Sequence, residues 1–415
     1  MLSKQLLDDL VNLKNFIIIP GKDRVESILA SLDNPQNAYK IIHITGTNGK
    51  GSTAAFLESG LFHSGFKVGK FTSPHLYAIN ENIVFNLMPI SDVALECIYW
   101  QIKEKMQQLS IALTQFELLT VIMFEYFKQQ QIQWLILEVG MGGLHDATNV
   151  VNSAYAIITN VSMEHCQWLG NSVGEIAREK AGIIKYGKTI LGTNATEVIE
   201  EIHKFDQNYI DVISCYNPIV NLDGTSFTTQ IQFQDHAVNK KYNLSLLGKF
   251  QGLNFLCAYY VFKDLGLSEE SINYAATTTR WQGRLQLIAI NPHIILDATH
   301  NLAGAQSIKQ TLVELFDKND IVIITSILKD KQVKEMLQEF ANIASSIIFT
   351  SIKSNPRGMD CHDLYASGSS FFAQSYVCDD PNEALQLAQT LNKKIILVTG
   401  STYLLALLNK EPSTT

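Results

Sequence analysis

Apolar residues along this chain gather in short uninterrupted runs that end in polar or glycine-rich loops. Ile41-Ile-His-Ile-Thr45 runs into a glycine-rich turn, and the pattern after it predicts a helix from about Ser52 to Ser64. Trp134-Leu-Ile-Leu-Glu-Val139 and Tyr155-Ala-Ile-Ile-Thr159 repeat the form. Continuous apolar strands separated by amphipathic stretches predict a parallel sheet covered on both faces.

Residues 220 to 247 change period. Phe227, Ile231 and Phe233 share one alternation, as do Tyr242, Leu244 and Leu246. This predicts a small antiparallel flap or hairpin, with Asn221-Leu-Asp-Gly224 supplying a turn. After Arg284 the strand–helix alternation restarts with Ile294–Asp297, Ile321–Thr325, Ile347–Thr350 and Ile395–Thr399. The fold class read from these patterns is α/β. A P-loop domain with a parallel sheet spans 1–286, and a smaller Rossmann-like α/β domain spans 287–415. Ligands are expected at the carboxyl ends of the strands and in the cleft between the domains.

Length agrees, since 415 residues exceed one ordinary core. Apolar residues at 46% and charged residues at 17% suit a globular enzyme, and a net charge of −8 argues against nucleic acid. The six cysteines, Cys97, Cys166, Cys215, Cys257, Cys361 and Cys378, form no Cys-x-x-Cys pair and read as reduced, mostly packed thiols. The first ten residues lack a signal-peptide core, and no apolar run approaches the roughly 20 residues of a membrane span. A cytoplasmic protein is expected, with Glu411–Thr415 as a frayed tail.

The strand–loop–helix order around Gly46-Thr-Asn-Gly-Lys-Gly-Ser52 presents backbone N–H groups to phosphate oxygens at a helix N-terminus. Gly46, Gly49 and Gly51 permit close approach, Lys50 supplies charge for the β- and γ-phosphates, and Ser52 or Thr53 a hydroxyl for Mg²⁺. The general Walker pattern fails, because Ile44 stands where its first glycine belongs; the shorter Gly-Thr-Asn-Gly-Lys form fits. Glu138, closing its strand, is placed to hold a metal ion, and a solvated strand-end acid is the plainer alternative. Gly140-Met-Gly-Gly143 has His145 where a dinucleotide fingerprint needs glycine. His165 follows a strand and Lys180 sits in an expected helix near 176–182; each taken singly reads as structural or surface.

As an ordered set these features resemble the folylpolyglutamate synthase/dihydrofolate synthase branch of the Mur ligases. The set includes His43–Thr53, Thr72-Ser-Pro-His-Leu76, Thr114-Gln-Phe-Glu117, Glu138–Gly143 with Asp146-Ala-Thr-Asn149, and Glu164-His165 with Trp168-Leu-Gly170. It continues with Ala177–Ile183, Gly248–Gln251 with Asn254, Trp281-Gln-Gly-Arg284, Asp297–Asn301 and Val398–Ser401.

The resemblance implies an ATP-dependent ligase adding L-glutamate to dihydropteroate, to folates or to both. A carboxylate is a poor electrophile; phosphorylation makes it an acyl phosphate, which the neutral amine of glutamate attacks. By the same resemblance Ser52, Ser73, Glu138 and His165 bind two Mg²⁺ ions. Gly46, Thr47, Asn48, Gly49, Lys50, Gly51, Ser52 and Thr53 hold ATP together with Asn254, Arg284 and Asp297. Arg284 falls to the γ-phosphate, Asp297 to the ribose, and Lys180 to carbamylation by CO₂. His300 and Ser401 match glutamate-side positions, and Phe116 and Asp146 pterin-side positions. Lys50, Lys180, His165 and Arg284 thus form the implied catalytic set. The partners expected are small molecules only, with no nucleic acid or membrane, acting on a monomer.

Several positions depart from the family pattern: Asn82 and Leu144 replace arginines, His145 a leucine, Phe250 a histidine, Ala298-Thr299 a Gly-Ala pair and Leu302 a proline. The two lost arginines leave open a ligase of the same mechanism acting on a different, non-folate carboxylic acid.

Overall fold

A computed structural model of the chain describes residues 2–13, 21–213, 216–233 and 236–408. Cys215 and the Glu411–Thr415 tail lie outside them, as do the side chains of Ile231 and Phe233. The chain packs as two compact units: Met1–Tyr216 with Leu253–Thr279, and Asn217–Gly252 with Arg280–Thr415.

The first unit is built on an eight-stranded sheet. Its order is Met88–Pro89, Ile83–Phe85, Val68–Phe71, Trp134–Glu138, Lys40–Thr45, Tyr155–Ile158, Lys188–Leu191 and Ile210–Asp211. The two pairings at the Met88–Pro89 edge are antiparallel and the rest parallel. Trp134–Glu138 and Tyr155–Ile158 are buried at every position, and Lys40–Thr45 at all but Lys40, as their unbroken apolar runs require. Helix Lys50–His63 starts two residues before its expected position, because Gly49 serves as its left-handed N-cap. Helix Gln115–Gln129 begins with a reciprocal cap between Thr114 and Glu117.

The second unit carries a six-stranded sheet ordered Gln286–Ile290, His293–Leu296, Ile395–Thr399, Ile321–Thr325, Ser346–Phe349 and Gln374–Val377. Only its first pairing is antiparallel. The period-2 region is a three-stranded antiparallel sheet, Tyr216–Asn221, Gly224–Phe233 and His236–Leu244, rather than a lone hairpin. Its first turn is closed by Asn221 Oδ1 accepting from the Asp223 N–H at 3.0 Å.

A single cut at 286/287 does not describe this division. Val220, Leu247 and Leu285 share a buried cluster with Ile295, Ile323 and Leu397, so the 217–252 segment packs with the second unit. The helices from Leu253 to Thr279 then return the chain to the first. Among the described cysteines none is paired; Cys257 and Cys361 are buried, Cys166 and Cys378 half-buried, and Cys97 is exposed. No helix of the described residues is long and apolar enough to cross a membrane.

Candidate active site

The glycine-rich loop follows strand Lys40–Thr45, and its shape depends on two glycines. Gly46 has φ +147°, and a β-carbon there would lie 1.9 Å from Thr159 Oγ1. Gly49 has φ +87°, and a β-carbon there would lie 2.3 Å from Asn254 Oδ1. Asn254, expected to contact ATP, therefore stands directly against the loop. Lys50 lays its ammonium over its own loop, donating to the carbonyls of Gly46 at 2.9 Å and Thr47 at 3.2 Å. Ser52 and Thr53 are buried in the first helical turn.

A clamp that the sequence reading missed holds this loop. Asn160 Oδ1 accepts from the Asn48 N–H at 2.9 Å, and its Nδ2 donates to the Asn48 carbonyl at 2.8 Å. Thr159 Oγ1 donates to the same carbonyl at 2.6 Å. Both residues follow the strand Tyr155–Ile158, one place along the sheet, so its C-terminal end shapes the loop. A polar pair at the end of an apolar strand was the available signal.

Glu138, in register with Ile44, is buried and accepts from the Ser73 N–H at 3.1 Å. His165 has φ +50° and caps the short helix Cys166–Leu169, with Nε2 3.7 Å from Glu164. Among the described residues no three His, Cys, Asp or Glu side chains converge as a metal cage. Divalent ions here would be completed by hydroxyls, phosphate oxygens and water, which suits Mg²⁺. The donors Ser52, Ser73, Glu138 and His165 fit that chemistry: three offer oxygen, and Glu138 is a buried carboxylate.

Lys180 is not the surface lysine its sequence context allows. It is 4% exposed in helix Val173–Ala181. Burial, then the field of Lys50, push its pKa down to about 7, against the pull of Glu164, Glu179 and Asp146. An amine with that pKa is substantially neutral at physiological pH, the form that can add to CO₂.

Beside these groups lies a cavity of about 410 Å³ lined by Ser73, Phe116, Glu117, Asp146, His165 and Trp168 among others. It places the two expected pterin-side residues with two of the expected metal ligands. Phe116 lies over Gly140, where a β-carbon would fall 2.6 Å from its ring. Asp146 is buried and accepts from the Met141 N–H, the Thr148 N–H and the Thr148 hydroxyl at 2.9, 2.9 and 2.6 Å. Burial raises its pKa, and these hydrogen bonds oppose the rise. Asn149 Nδ2 donates to the carbonyls of Leu144 and Gly182, fastening this loop to the end of the Lys180 helix.

Neither Asn82 nor Leu144, the two positions that lack the family arginines, is among the residues lining the cavity. Asn82 is buried elsewhere, donating to the Thr72 carbonyl at 2.6 Å and accepting from His75 Nδ1 at 2.8 Å. Leu144 is 43% exposed, and its neighbour His145 lines the cavity instead.

The remaining predicted residues belong to the second unit. Asp297 closes strand His293–Leu296 and is buried; Oδ2 accepts from the Leu285 N–H and Oδ1 from the Thr299 N–H, both at 2.8 Å. It thereby fixes the backbone next to Arg284. His300 Nδ1 lies 3.1 Å from the Ala298 carbonyl, and Ser401 caps helix Thr402–Leu407 by accepting from the Tyr403 N–H.

Residues 44–262 match the Mur ligase middle domain, and residues 283–402 the Mur ligase glutamate ligase domain. The chain is 32% identical over 414 residues to a Bacillus subtilis dihydrofolate synthase/folylpolyglutamate synthase, covering 95% of this chain and 96% of the relative. Its structure resembles that of Mycobacterium tuberculosis folylpolyglutamate synthase complexed with ADP and AMPPCP. That likeness has a TM-score of 0.87 and 28% identity, covering 97% of this chain and 96% of the other. Escherichia coli FolC in complex with DHPP and ADP gives a TM-score of 0.85 at 27% identity, with 97% and 95% covered.

Proposed function

The chain belongs to the Mur ligase family, in its dihydrofolate synthase/folylpolyglutamate synthase group, and from that premise we propose an ATP-dependent ligase adding L-glutamate to dihydropteroate, to tetrahydrofolates or to both. The observation that carries this reading is the cavity, where Phe116 and Asp146 share walls with Ser73 and His165. A ring acid entering it can stack on Phe116 and donate to Asp146, while its carboxylate reaches the metal-side residues.

In the proposed sequence, the backbone amides of Gly46–Thr53 and the Lys50 ammonium hold the triphosphate. Asn254, Arg284 and Asp297 complete nucleotide binding. Ser52, Ser73, Glu138 and His165 would hold two Mg²⁺ ions, which supply charge neutralisation for phosphoryl transfer. The acid's carboxylate attacks the γ-phosphorus, ADP leaves, and an acyl phosphate forms. The neutral amine of glutamate, positioned by His300 and Ser401, attacks that carbonyl, and the tetrahedral intermediate expels phosphate. Lys180, as its carbamate, would exchange a cation for an anion beside the ions. The reading extends to a cytoplasmic monomer whose partners are these small molecules. A non-folate acid is the disfavoured alternative, because the relatives act on folates by name.

The test is ADP and phosphate release by the full chain with ATP, Mg²⁺ and L-glutamate, comparing dihydropteroate with tetrahydrofolate. Release that depends on either acid is expected. No release with either overturns the folate reading.

A further inference from the structure

Three buried side chains outside the reacting groups form a chain that ends on Asp146. His43 Nε2 lies 2.9 Å from Thr148 Oγ1, and Thr148 Oγ1 lies 2.6 Å from Asp146 Oδ1. His43 and Thr148 are both wholly buried. His43 sits on strand Lys40–Thr45, three residues before Gly46, so the chain joins the strand feeding the phosphate loop to the carboxylate that lines the cavity.

The direction of each bond follows from donor counting. Asp146 also accepts from the N–H groups of Met141 and Thr148, which is the behaviour of an ionised carboxylate. The Thr148 hydroxyl has one proton and must give it to Asp146. Its oxygen is then an acceptor only, so Nε2 of His43 must be the donor. That leaves Nδ1 as a bare lone pair, and Nδ1 is indeed buried with no hydrogen-bond partner among the described residues. The opposite polarity, with Asp146 protonated, would put the proton on Nδ1 and strand a buried N–H, the costlier orphan.

Resting on the reading of Asp146 as a contact for the acid's ring, we propose that Thr148 and His43 are positioning residues of the acid subsite. They hold Asp146 ionised and fixed, so that its remaining lone pairs face a ligand's N–H donors. The His43 ring is neutral with its proton on Nε2. A hydroxyl at position 148 is thus required for acid affinity and not for nucleotide binding. The chemical class recognised is a heterocycle with adjacent N–H donors.

Two measurements on the full chain test this. Long-range ¹H–¹⁵N correlation of ¹⁵N-histidine protein at pH 7, with His43 assigned by its loss in His43→Gln, is expected to show a neutral ring protonated at Nε2. A charged ring or a proton on Nδ1 overturns the proposal. In steady-state kinetics Thr148→Val is expected to raise the KM for dihydropteroate about tenfold, the loss of roughly one well-made hydrogen bond to a charged group. The KM for ATP and kcat should stay within about twofold, and Thr148→Ser should restore the acid KM. An unchanged acid KM in a turning-over enzyme, or an ATP KM rising in parallel, overturns the positioning role alone. Wild-type protein that releases no ADP with either pterin acid overturns the functional reading, and this inference with it. If Thr148→Val does not fold, the wild-type tautomer decides.

Discussion

Arg24 grips one oxygen of Glu117 twice, through Nε at 2.9 Å and Nη2 at 2.7 Å, while the other oxygen accepts from the Thr114 N–H at 2.7 Å. Phe116 stands between the two anchored positions, so this pair sets the ring that walls the cavity. Gly21, three residues before Arg24, lines the same cavity. Replacing Arg24 by methionine leaves a carboxylate that is 3% exposed without its partner. The expected loss is about 1–3 kcal/mol of stability, read from the denaturant midpoint. The KM for dihydropteroate should rise while that for ATP stays level; equal stability with an unmoved acid KM would remove the role.

Lys180 provides a pH signature. Its pKa is about 7 in the folded chain against 10.5 unperturbed, so between those values the unfolded chain binds more protons. Stability therefore rises with pH across roughly 7 to 10.5, and the cost of burying the charge is fully present below about 7. In CO₂-free buffer Lys180→Met should raise Tm at pH 6 and lose that advantage by about pH 10. A Tm difference independent of pH would contradict the burial of this charge. Separately, Lys180→Ala should abolish turnover and leave nucleotide binding largely intact, by calorimetry with ADP; unchanged turnover would exclude the carbamate.

What could be read before folding divides by sequence distance. The strand Lys40–Thr45 and its loop were legible because an apolar run followed by glycines fixes both period and turn within a dozen residues. Glu138 was legible as a strand end for the same reason. The burial of Lys180 was not, although the family resemblance names the residue, since nothing in Ile176–Gly182 tells which face of that helix other elements will cover. Arg24 and Glu117 are 93 positions apart, and Asn48 and Asn160 are 112 apart. No local pattern encodes such pairs, although the Thr-x-x-Glu spacing at 114–117 does announce the cap. The extra crossings between units were hidden likewise, in the long-range packing of Val220 and Leu247 with Leu285.

Asn160→Ala removes both side-chain bonds to Asn48 and leaves Thr159 as the remaining side-chain bond to its carbonyl. The loop amides then lose their fixed orientation toward phosphate. ADP affinity should fall roughly 10- to 100-fold, about 1.4 to 2.8 kcal/mol. Titration calorimetry with ADP checks this, and undiminished affinity would show that the clamp does not order the loop.

Gly140→Ala separates the acid end of the site from the nucleotide end. The added β-carbon would lie 2.6 Å from the Phe116 Cζ, and the ring packs on Phe71 at 5.8 Å between centroids behind it. With little room to retreat, the ring must tilt toward the cavity and narrow it. Backbone strain is not at issue, because Gly140 lies outside the positive-φ glycines. The expected outcome is a KM for the pterin acid raised about 5- to 50-fold, with ADP affinity unchanged. Gly49→Ala supplies the contrast: a forced positive φ and a contact at 2.3 Å with Asn254 strike the phosphate loop, so ADP affinity should fall first. If both substitutions weakened acid and nucleotide equally, the division of the site into a ring cavity and a phosphate loop would be wrong.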